Sequence, residues 1–562
     1  MINRWLRSYS PTRAAGDLSA ALVVVIMLVP QGLAYAQLAG VPPQTGLYAS
    51  ILPLVAYALF GSSSTLAVGP VAVTSLMTAA ALAQLTPVGS TEYAVLAGWL
   101  ALLSGVMLFV AGMLRLGFIA NLMSDSVVVG FISGASVLIV LGQLKSLFGM
   151  QGGGHTALEI MRSLYTERAS VNMTTTIVGS AALGMLVICQ YRLGALLVKL
   201  KLSVERANLV VKLAPLFIVV VATTVSAMGN LHADHGLAVV GPISAALPAF
   251  GLRALKPDEL SALLMPALTI GLIGFVGSVS AAQSLGFRRH ERIAPNDELR
   301  GLGAANIAAA LSGGFPVTGG LSRSIVNYNA GAQTPIAGIY AALLMACVLL
   351  TLTGWFAPLP TTVLAATIIV PAISLIDLSR LAHAWRCARS DAWALIGTAL
   401  GVIVCGVEIG IAVGIAISIG NVLWQVSRPH IAKLGRVPGT EQYLNVDRAE
   451  VETNPAVLIL RIDENIFFAN VRAVEDRILA ALTEHPAVAD LVLDLSAVNF
   501  IDYTALERLI ELNRNLRGNG LTLHLARVKG PVMDRLARSD LLNELSGQVF
   551  RFVHEALTAL KR

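Results

Sequence analysis

Ser64–Met77 reads STLAVGPVAVTSLM and Gly313–Asn329 reads GGFPVTGGLSRSIVNYN. Each stretch breaks an apolar region with Gly and Pro and then opens a helix. Pro suits a first helical turn, and Gly lets backbone approach closely. Paired interrupted helices at corresponding depth in two halves of a hydrophobic chain mark a binding site at the membrane midplane. A helix start offers unpaired N–H groups and a partial positive charge. Two such starts, with Arg323 beside the second, make a place for an anion.

The surrounding chain has 562 residues, 56% hydrophobic and 13% charged, with a mean hydropathy of +0.73. A water-soluble domain is about a quarter charged. Residues 15–427 hold apolar runs able to span about 30 Å of hydrocarbon, with room for roughly thirteen to fourteen spans, several of them short. Leu18–Leu38 leads straight into further spans without a small-residue cleavage site, so it reads as the first helix and not as a signal peptide. Cys189, Cys347, Cys387 and Cys405 lie in or beside apolar segments with no CxxC pair. They read as small core residues, not disulfides or metal ligands. The net charge of +6 belongs to loops, since no basic stripe interleaved with aromatics points to nucleic acid.

Lysine and arginine set the orientation. The connections Arg192–Arg206, Phe287–Arg300 and Arg380–Asp391 are basic. Fourteen expected spans and a cytoplasmic N-terminus put all three on the cytoplasmic side. Met150–Asn172 then lies outside despite Arg162 and Arg168.

Residues 1–14 form a basic lead-in and 15–427 the membrane domain, in two groups of about seven spans. The polar connection between the groups contains an apolar, strand-like piece, Leu237–Ile243. Residues 428–440 read as a linker and 441–562 as a soluble α/β domain, in which strands alternate with helices. Its expected strands are Val457–Ile462, Ile466–Phe468, Leu491–Leu495 and Leu521–Leu525. Its expected helices are Val471–Thr483, Ala505–Leu516 and Val532–Leu542. Asp502 stands where a helix N-cap belongs.

Gln31 and Tyr35 sit four residues apart, hence on one helix face. They offer an amide and an aromatic wall to a ligand, or else a bond to a neighbouring helix and plain packing. Thr74 and Ser75 follow the Gly69-Pro70 break. Arg323 would cost at least ~3 kcal/mol if left in lipid. It therefore faces an anion, water, an internal ion pair or a backbone carbonyl. Asp125 and Glu408 are the acids expected near membrane depth, both close to span ends, and the span Leu263–Phe287 has none. Arg289-His290-Glu291-Arg292 lacks the i, i+4 histidines of a zinc site and reads as a solvated loop. No phosphate loop, metal set or nucleophile–base set appears, so neither a cofactor nor an enzyme is expected.

At these residues the sequence resembles the sulfate permease (SulP) family of anion transporters. The matching runs are PQGLAYAQLAGVPPQTGLYAS (Pro30–Ser50), VGPVAV (Val68–Val73) and Glu298–Pro335, and the C-terminal domain resembles a STAS domain. The resemblance implies a polytopic α-helical protein of about fourteen helices in a seven-plus-seven inverted repeat. It also implies core and gate subdomains, a homodimer and an elevator-like movement of the core. The anion would lie between the third and tenth helices, against Gln31, Tyr35, Gly69, Val71, Gly320, Leu321, Ser322 and Arg323. Many bacterial relatives carry a Glu in the eighth helix, in a stretch like FVESVSVAQ. Gly277 stands there in this chain, which removes a proton-coupling group and leaves Glu408 as the fallback. Antagonist proteins with this domain carry a phosphorylatable Ser after the loop Asp. Here Asp502 is followed by Tyr503 and Thr504, which departs from that pattern and favours a scaffold or dimer-contact role, with Asp502 and Thr504 as the candidate regulatory positions.

The expectation is thus an inner-membrane secondary anion transporter with sulfate as nominal substrate, its N-terminus and STAS domain cytoplasmic. An uncoupled uniporter or channel-like conductor, and an anion-responsive sensor signalling to a soluble partner through the STAS domain, are the alternatives.

Overall fold

Fourteen principal helices run from Pro11 to Val426 in the computed structural model. It describes residues 9–83, 85–121, 124–150, 153–154, 156–201, 203–243 and 255–560. The first seven are α1 (Pro11–Ala39), α2 (Leu52–Phe60), α3 (Ala72–Leu82), α4 (Thr91–Met113), α5 (Asp125–Phe148), α6 (Met173–Ile188) and α7 (Val204–Met228). The second seven are α8 (Pro257–Arg289), α9 (Pro295–Leu311), α10 (Leu321–Asn329), α11 (Ile336–Thr351), α12 (Thr361–Ser374), α13 (Arg389–Cys405) and α14 (Val407–Val426). Among the described residues, six helical segments are long and apolar enough to cross a membrane alone. By contrast, α3 has 11 residues and α10 has 9. At about 1.5 Å per residue each reaches roughly half of a ~30 Å hydrocarbon core. The missing halves are extended chain that ends in two short strands, β1 (Val68–Gly69) and β2 (Thr318–Gly319).

Helix packing repeats when each helix is exchanged for the one seven places along. The pair α4 and α9 matches α11 and α2, and α4 and α8 matches α11 and α1. Likewise α1 and α3 matches α8 and α10, and α5 and α13 matches α12 and α6. The antiparallel β1–β2 pair, Val68 opposite Gly319 and Gly69 opposite Thr318, lies where the two halves meet. This is the inverted repeat. It sorts the helices into a core of α1–α4 with α8–α11, and a second group of α5–α7 with α12–α14. In the core, α4 and α9 touch backbone to backbone. A Cβ on Gly303 would come within 2.6 Å of Phe109 N, and one on Gly105 within 2.7 Å of Ile307 N.

Leu237–Ile243 pairs in part as expected. Val239 bridges Pro360, and Val240 N donates to Leu359 O at 2.9 Å. The cysteines depart from expectation: Cys347, Cys387 and Cys405 are exposed and Cys189 is half-buried. Apolar residues on a lipid-facing helix need no protein around them, so an apolar neighbourhood did not mean core. Asp125 is an exposed helix-start residue of α5. Glu408 lies in α14, with its side chain outside the described residues, as are residues 1–8 of the lead-in.

The chain divides into two compact units, one ending at Ser418 and the other beginning at Ile419. The second carries a six-stranded sheet of order β4-β3-β5-β6-β7-β8. Its strands are β3 (Ile431–Arg436), β4 (Tyr443–Asn445), β5 (Val457–Ile462), β6 (Asp490–Asp494), β7 (Thr522–Ala526) and β8 (Val549–Phe550). The last four are parallel, while β3 runs antiparallel to β5. Helices α15 (Val471–Thr483), α16 (Tyr503–Gly518) and α17 (Gly530–Leu536) precede α18 (Val553–Ala559). Leu458, Leu460 and Ile462 pack with residues of α15, α16 and α17, and Val457 and Ile459 pack with α18. Both faces of β5 are covered, which is why VLILRI is apolar almost throughout.

Three expectations in this unit change. The stretch 428–440 contains β3, so part of the expected linker is sheet. Ile466–Phe468 is not a strand but a single bridge from Ile466 to Ile501. Side chains take its amides instead: Asn470 Oδ1 accepts from Phe467 N, and Asp502 Oδ2 from Phe468 N at 2.9 Å. The helix expected over Val532–Leu542 breaks into α17 and a turn at Leu541–Glu544. Ser539, whose Oγ bonds Leu536 O, competes with the helix there.

Asp502 caps α16, its Oδ1 accepting from Ala505 N at 2.8 Å. It thus fixes both the helix start and the loop after β5. Asp502→Ala should lower the stability of this unit by about 1–2 kcal/mol, and Asp502→Asn by less. Urea unfolding followed by hydrogen exchange of α16 in the full chain measures this, and an unchanged midpoint for the Ala variant rejects it.

Candidate functional site at the paired helix starts

The two broken segments meet head to head. Every peptide group in them needs a partner if it is to lie at membrane depth without secondary structure. The second half of the chain supplies most of these partners, for both segments. Asn327 Nδ2 donates to Thr65 O at 2.9 Å, and Ala67 N donates to Ser324 Oγ at 3.0 Å. For the second segment, Val317 N and Val317 O both bond the Asn306 side chain at 2.9 Å. Gly319 N donates to Ser278 Oγ at 2.9 Å.

Arg323 closes the arrangement. It is 2% exposed. Its Nε and Nη2 donate to Ala67 O at 3.3 and 3.2 Å, and its Nη1 donates to Pro70 O at 3.3 Å. Among the partners left open by the sequence, backbone carbonyls are the ones found. Among the described residues its hydrogen-bond acceptors are carbonyl oxygens only, so its charge is solvated by dipoles but not neutralised. The guanidinium lies under Gly69, where an added Cβ would stand 3.2 Å from Nη2. Gly69 has φ +155°, a conformation open to glycine and strained for other residues. A Cβ on Gly320 would touch Arg323 and Val71 Cγ2, each at 3.5 Å.

The structure therefore brings Gly69, Val71, Gly320 and Arg323 together. Val71 is the N-cap of α3 and Gly320 that of α10. The first-turn amides of both helices have no carbonyl four residues back to receive them. Leu321 and Ser322 are exposed at the start of α10. Gln31 and Tyr35 are half-buried on α1, which packs on both α3 and α10. Gly277 on α8 has open space where a side chain would be. Its neighbour Ser278 holds β2 through Thr318 Oγ1 at 2.7 Å and Gly319 N.

Two acids escaped the sequence reading. Glu298 on α9 is fully buried and accepts from Tyr57 Oη at 2.8 Å, Ser62 N at 2.9 Å, Ser62 Oγ at 2.7 Å and Ser63 N at 3.1 Å. Asp17 on α1 is fully buried too, accepting from Gln333 N, Thr334 N and Thr334 Oγ1. The first anchors the approach to β1 and the second the chain after α10. The signal was available: runs of Ser at 62–64 and Gln-Thr at 333–334 are donors in need of an acceptor. Nor is Arg289-His290-Glu291-Arg292 merely solvated loop. Glu291 accepts from Ser64 N at 3.1 Å and Ser64 Oγ at 2.7 Å, and Arg289 stacks over Tyr328 at 4.9 Å.

A cavity of about 910 Å³ opens beyond the far end of α3, lined by Gln37, Leu76, Ala80 and Ala83 of the core and by Leu138 and Gln143 of α5. It separates the core from the second group along one side.

Sequence comparison gives the arrangement its lineage. The model of the sulfate permease family matches residues 15–398. This chain belongs to that family. Residues 448–556 match the STAS domain, which makes the six-stranded unit the STAS domain of the permease. A probable sulfate transporter of Mycobacterium tuberculosis strain H37Rv is 34% identical over 562 residues, covering 100% of this chain and 96% of that protein. The chloroplastic sulfate transporter 4.1 of Arabidopsis thaliana is 34% identical over 575 residues, covering 99% and 81%. The fold matches murine Slc26a9, an anion transporter solved in an inward-facing state, with a TM-score of 0.87 at 22% identity, covering 99% of this chain and 93% of that one. The transmembrane domain of BicA, a cyanobacterial bicarbonate transporter, matches with a TM-score of 0.61 at 21% identity over 73% of this chain and 99% of that one.

Gly69→Ala should displace the Arg323 guanidinium and reduce anion uptake at least tenfold, while the protein still elutes as a folded species. Uptake by proteoliposomes and size-exclusion chromatography measure the two, and wild-type uptake rejects the role given to Gly69. Glu298→Ala leaves four donors without an acceptor. It should lower the melting temperature in detergent more than Glu298→Gln, since each stranded buried group costs about 1–3 kcal/mol.

Proposed function

We propose that this permease is a secondary transporter that carries a small anion, with sulfate as nominal substrate, across a cell's inner membrane. One observation carries the reading: a buried guanidinium that, among the described residues, has carbonyl but no carboxylate partners, set between two opposed helix starts. The anion binds at the first turns of α3 and α10. Backbone N–H groups of Val71 and Ser322, the Ser322 hydroxyl and the Gln31 amide replace part of its water. Tyr35 forms a wall, and Arg323 acts through its field rather than by contact. Polar donors fixed by the fold need no reorganisation when the anion arrives.

The core then moves past the second group in an elevator-like step and exposes the site to the other side. The stitching across the two halves supports this, because it lets the two helix starts travel as one body. The permease works as a homodimer with its N-terminus and STAS domain in the cytoplasm. Thr504, exposed in the first turn of α16, and the capping residue Asp502 are the positions at which the domain would be regulated.

A second reading keeps the site and drops ion coupling. Gly277 favours it, since the space there would take a carboxylate side chain and holds none. Uptake of labelled sulfate, bicarbonate and fumarate into proteoliposomes, with and without an inward proton gradient, tests both. Sulfate uptake that ignores the gradient in the chain as it stands, and follows it in Gly277→Glu, is expected. Gradient-driven uptake in the unmodified chain rejects the uncoupled reading. No uptake of any of the three anions rejects the transport proposal.

A further inference from the structure

Between α12 and α13 a short helix, Leu378–Cys387, packs on α13. Asp377 caps it, accepting from Arg380 N at 3.0 Å, and also pairs with the Arg380 side chain at 3.2 Å. The helix is amphipathic at a 3.6-residue period. Leu378, Leu381, Ala382 and Trp385 share one face, and Arg380, His383 and Cys387 lie on the other. None of its residues is buried. Leu378 is 71% exposed, and Trp385 meets the exposed Trp393 of α13 edge to face, with centroids 5.4 Å apart. A groove of about 370 Å³ runs along this face, lined by Leu378, Leu381, Ala382, Trp385, Arg386 and Ile396.

An amphipathic face of this kind, flanking a membrane helix and carrying Trp, belongs at the boundary of hydrocarbon and headgroups. The cations decide which lipid meets it. Arg386 lies at the edge of the apolar face and inside the groove, and Arg389 opens α13 one turn further on. Both are exposed, and among the described residues neither has a carboxylate partner, Asp377 being taken by Arg380. Acyl chains satisfy the leucine and tryptophan side of the groove, and a phosphate-bearing anionic headgroup satisfies its arginine end.

We infer that the groove between Leu378–Cys387 and the start of α13 is a binding site for an anionic phospholipid, with Trp385 in the acyl region and Arg386 and Arg389 on the headgroup. Such a lipid would clamp the connection between two helices of the second group, the part of the permease past which the core moves.

Brominated lipids quench nearby tryptophan and test this on the full chain. The permease is reconstituted in phosphatidylcholine containing either brominated phosphatidylglycerol or brominated phosphatidylcholine at equal mole fraction. Trp385→Phe identifies the component that belongs to the groove. Quenching of that component should reach its midpoint at a lower mole fraction of phosphatidylglycerol than of phosphatidylcholine. The preference should fall roughly fivefold in Arg386→Gln and again in Arg389→Gln, the enrichment expected from each arginine near an anionic headgroup. Unchanged quenching by brominated phosphatidylcholine in the variants would show that the helix still lies at the membrane. Equal quenching by the two lipids, or a preference that survives both substitutions, overturns the site. Insensitivity to either lipid overturns it as well and assigns the face to a second copy of the chain.

Discussion

The guanidinium of Arg323 is fixed by the carbonyls of Ala67 and Pro70, 256 and 253 residues away in sequence. The rest of the membrane unit is arranged around that attachment. A break in a membrane helix exposes peptide groups that hydrocarbon does not solvate, and two breaks facing each other double the demand. The chain meets it with side chains of its second half, which serve both breaks. Asn327, Ser324 and Arg323 serve the first break, and Ser278 and Asn306 serve the second from within its own half. The helices that follow the breaks are short, about half the thickness of a bilayer.

The same arrangement sets the electrostatics. A buried cation is costly unless dipoles or a counter-charge replace its water. Carbonyl dipoles hold Arg323 in place and leave its formal charge in the field of the cleft. The first turns of α3 and α10 add partial positive charge on the same spot. A carboxylate beside Arg323 would neutralise that charge. Two buried acids, Asp17 and Glu298, accept from neutral donors in loops instead.

The sequence made the two breaks legible, because Gly and Pro in apolar surroundings followed by helical spacing have few other meanings. It showed α15 and α16 to within two residues and Asp502 as a cap, since capping is local chemistry, but it ran α17 on to Leu542 and did not show α18. It did not show where Arg323 points, because the acceptors are carbonyls and carry no side-chain signature. Glu298 was passed over because it stands beside Pro295, Asn296 and Asp297, a composition that reads as loop. Strand β3 was hidden because Ile431–Arg436 follows Pro429 and contains Lys433, Gly435 and Arg436, all weak strand formers. The cysteines were misplaced for a different reason. Apolar context predicts burial only where the alternative is water.

The stitching between halves also bears on how the chain is made. Synthesis runs from the N-terminus, so Thr65–Gly69 enters the bilayer long before Glu298, Ser324 and Asn327 exist. During that interval the first break has only Ser63, whose Oγ accepts from Thr65 N and Leu66 N, and lacks the partners that the second half supplies. The insertion machinery, water or transient contacts must shelter it until the tenth helix arrives. The two helix starts come together only once the second half is made and β1 and β2 find each other.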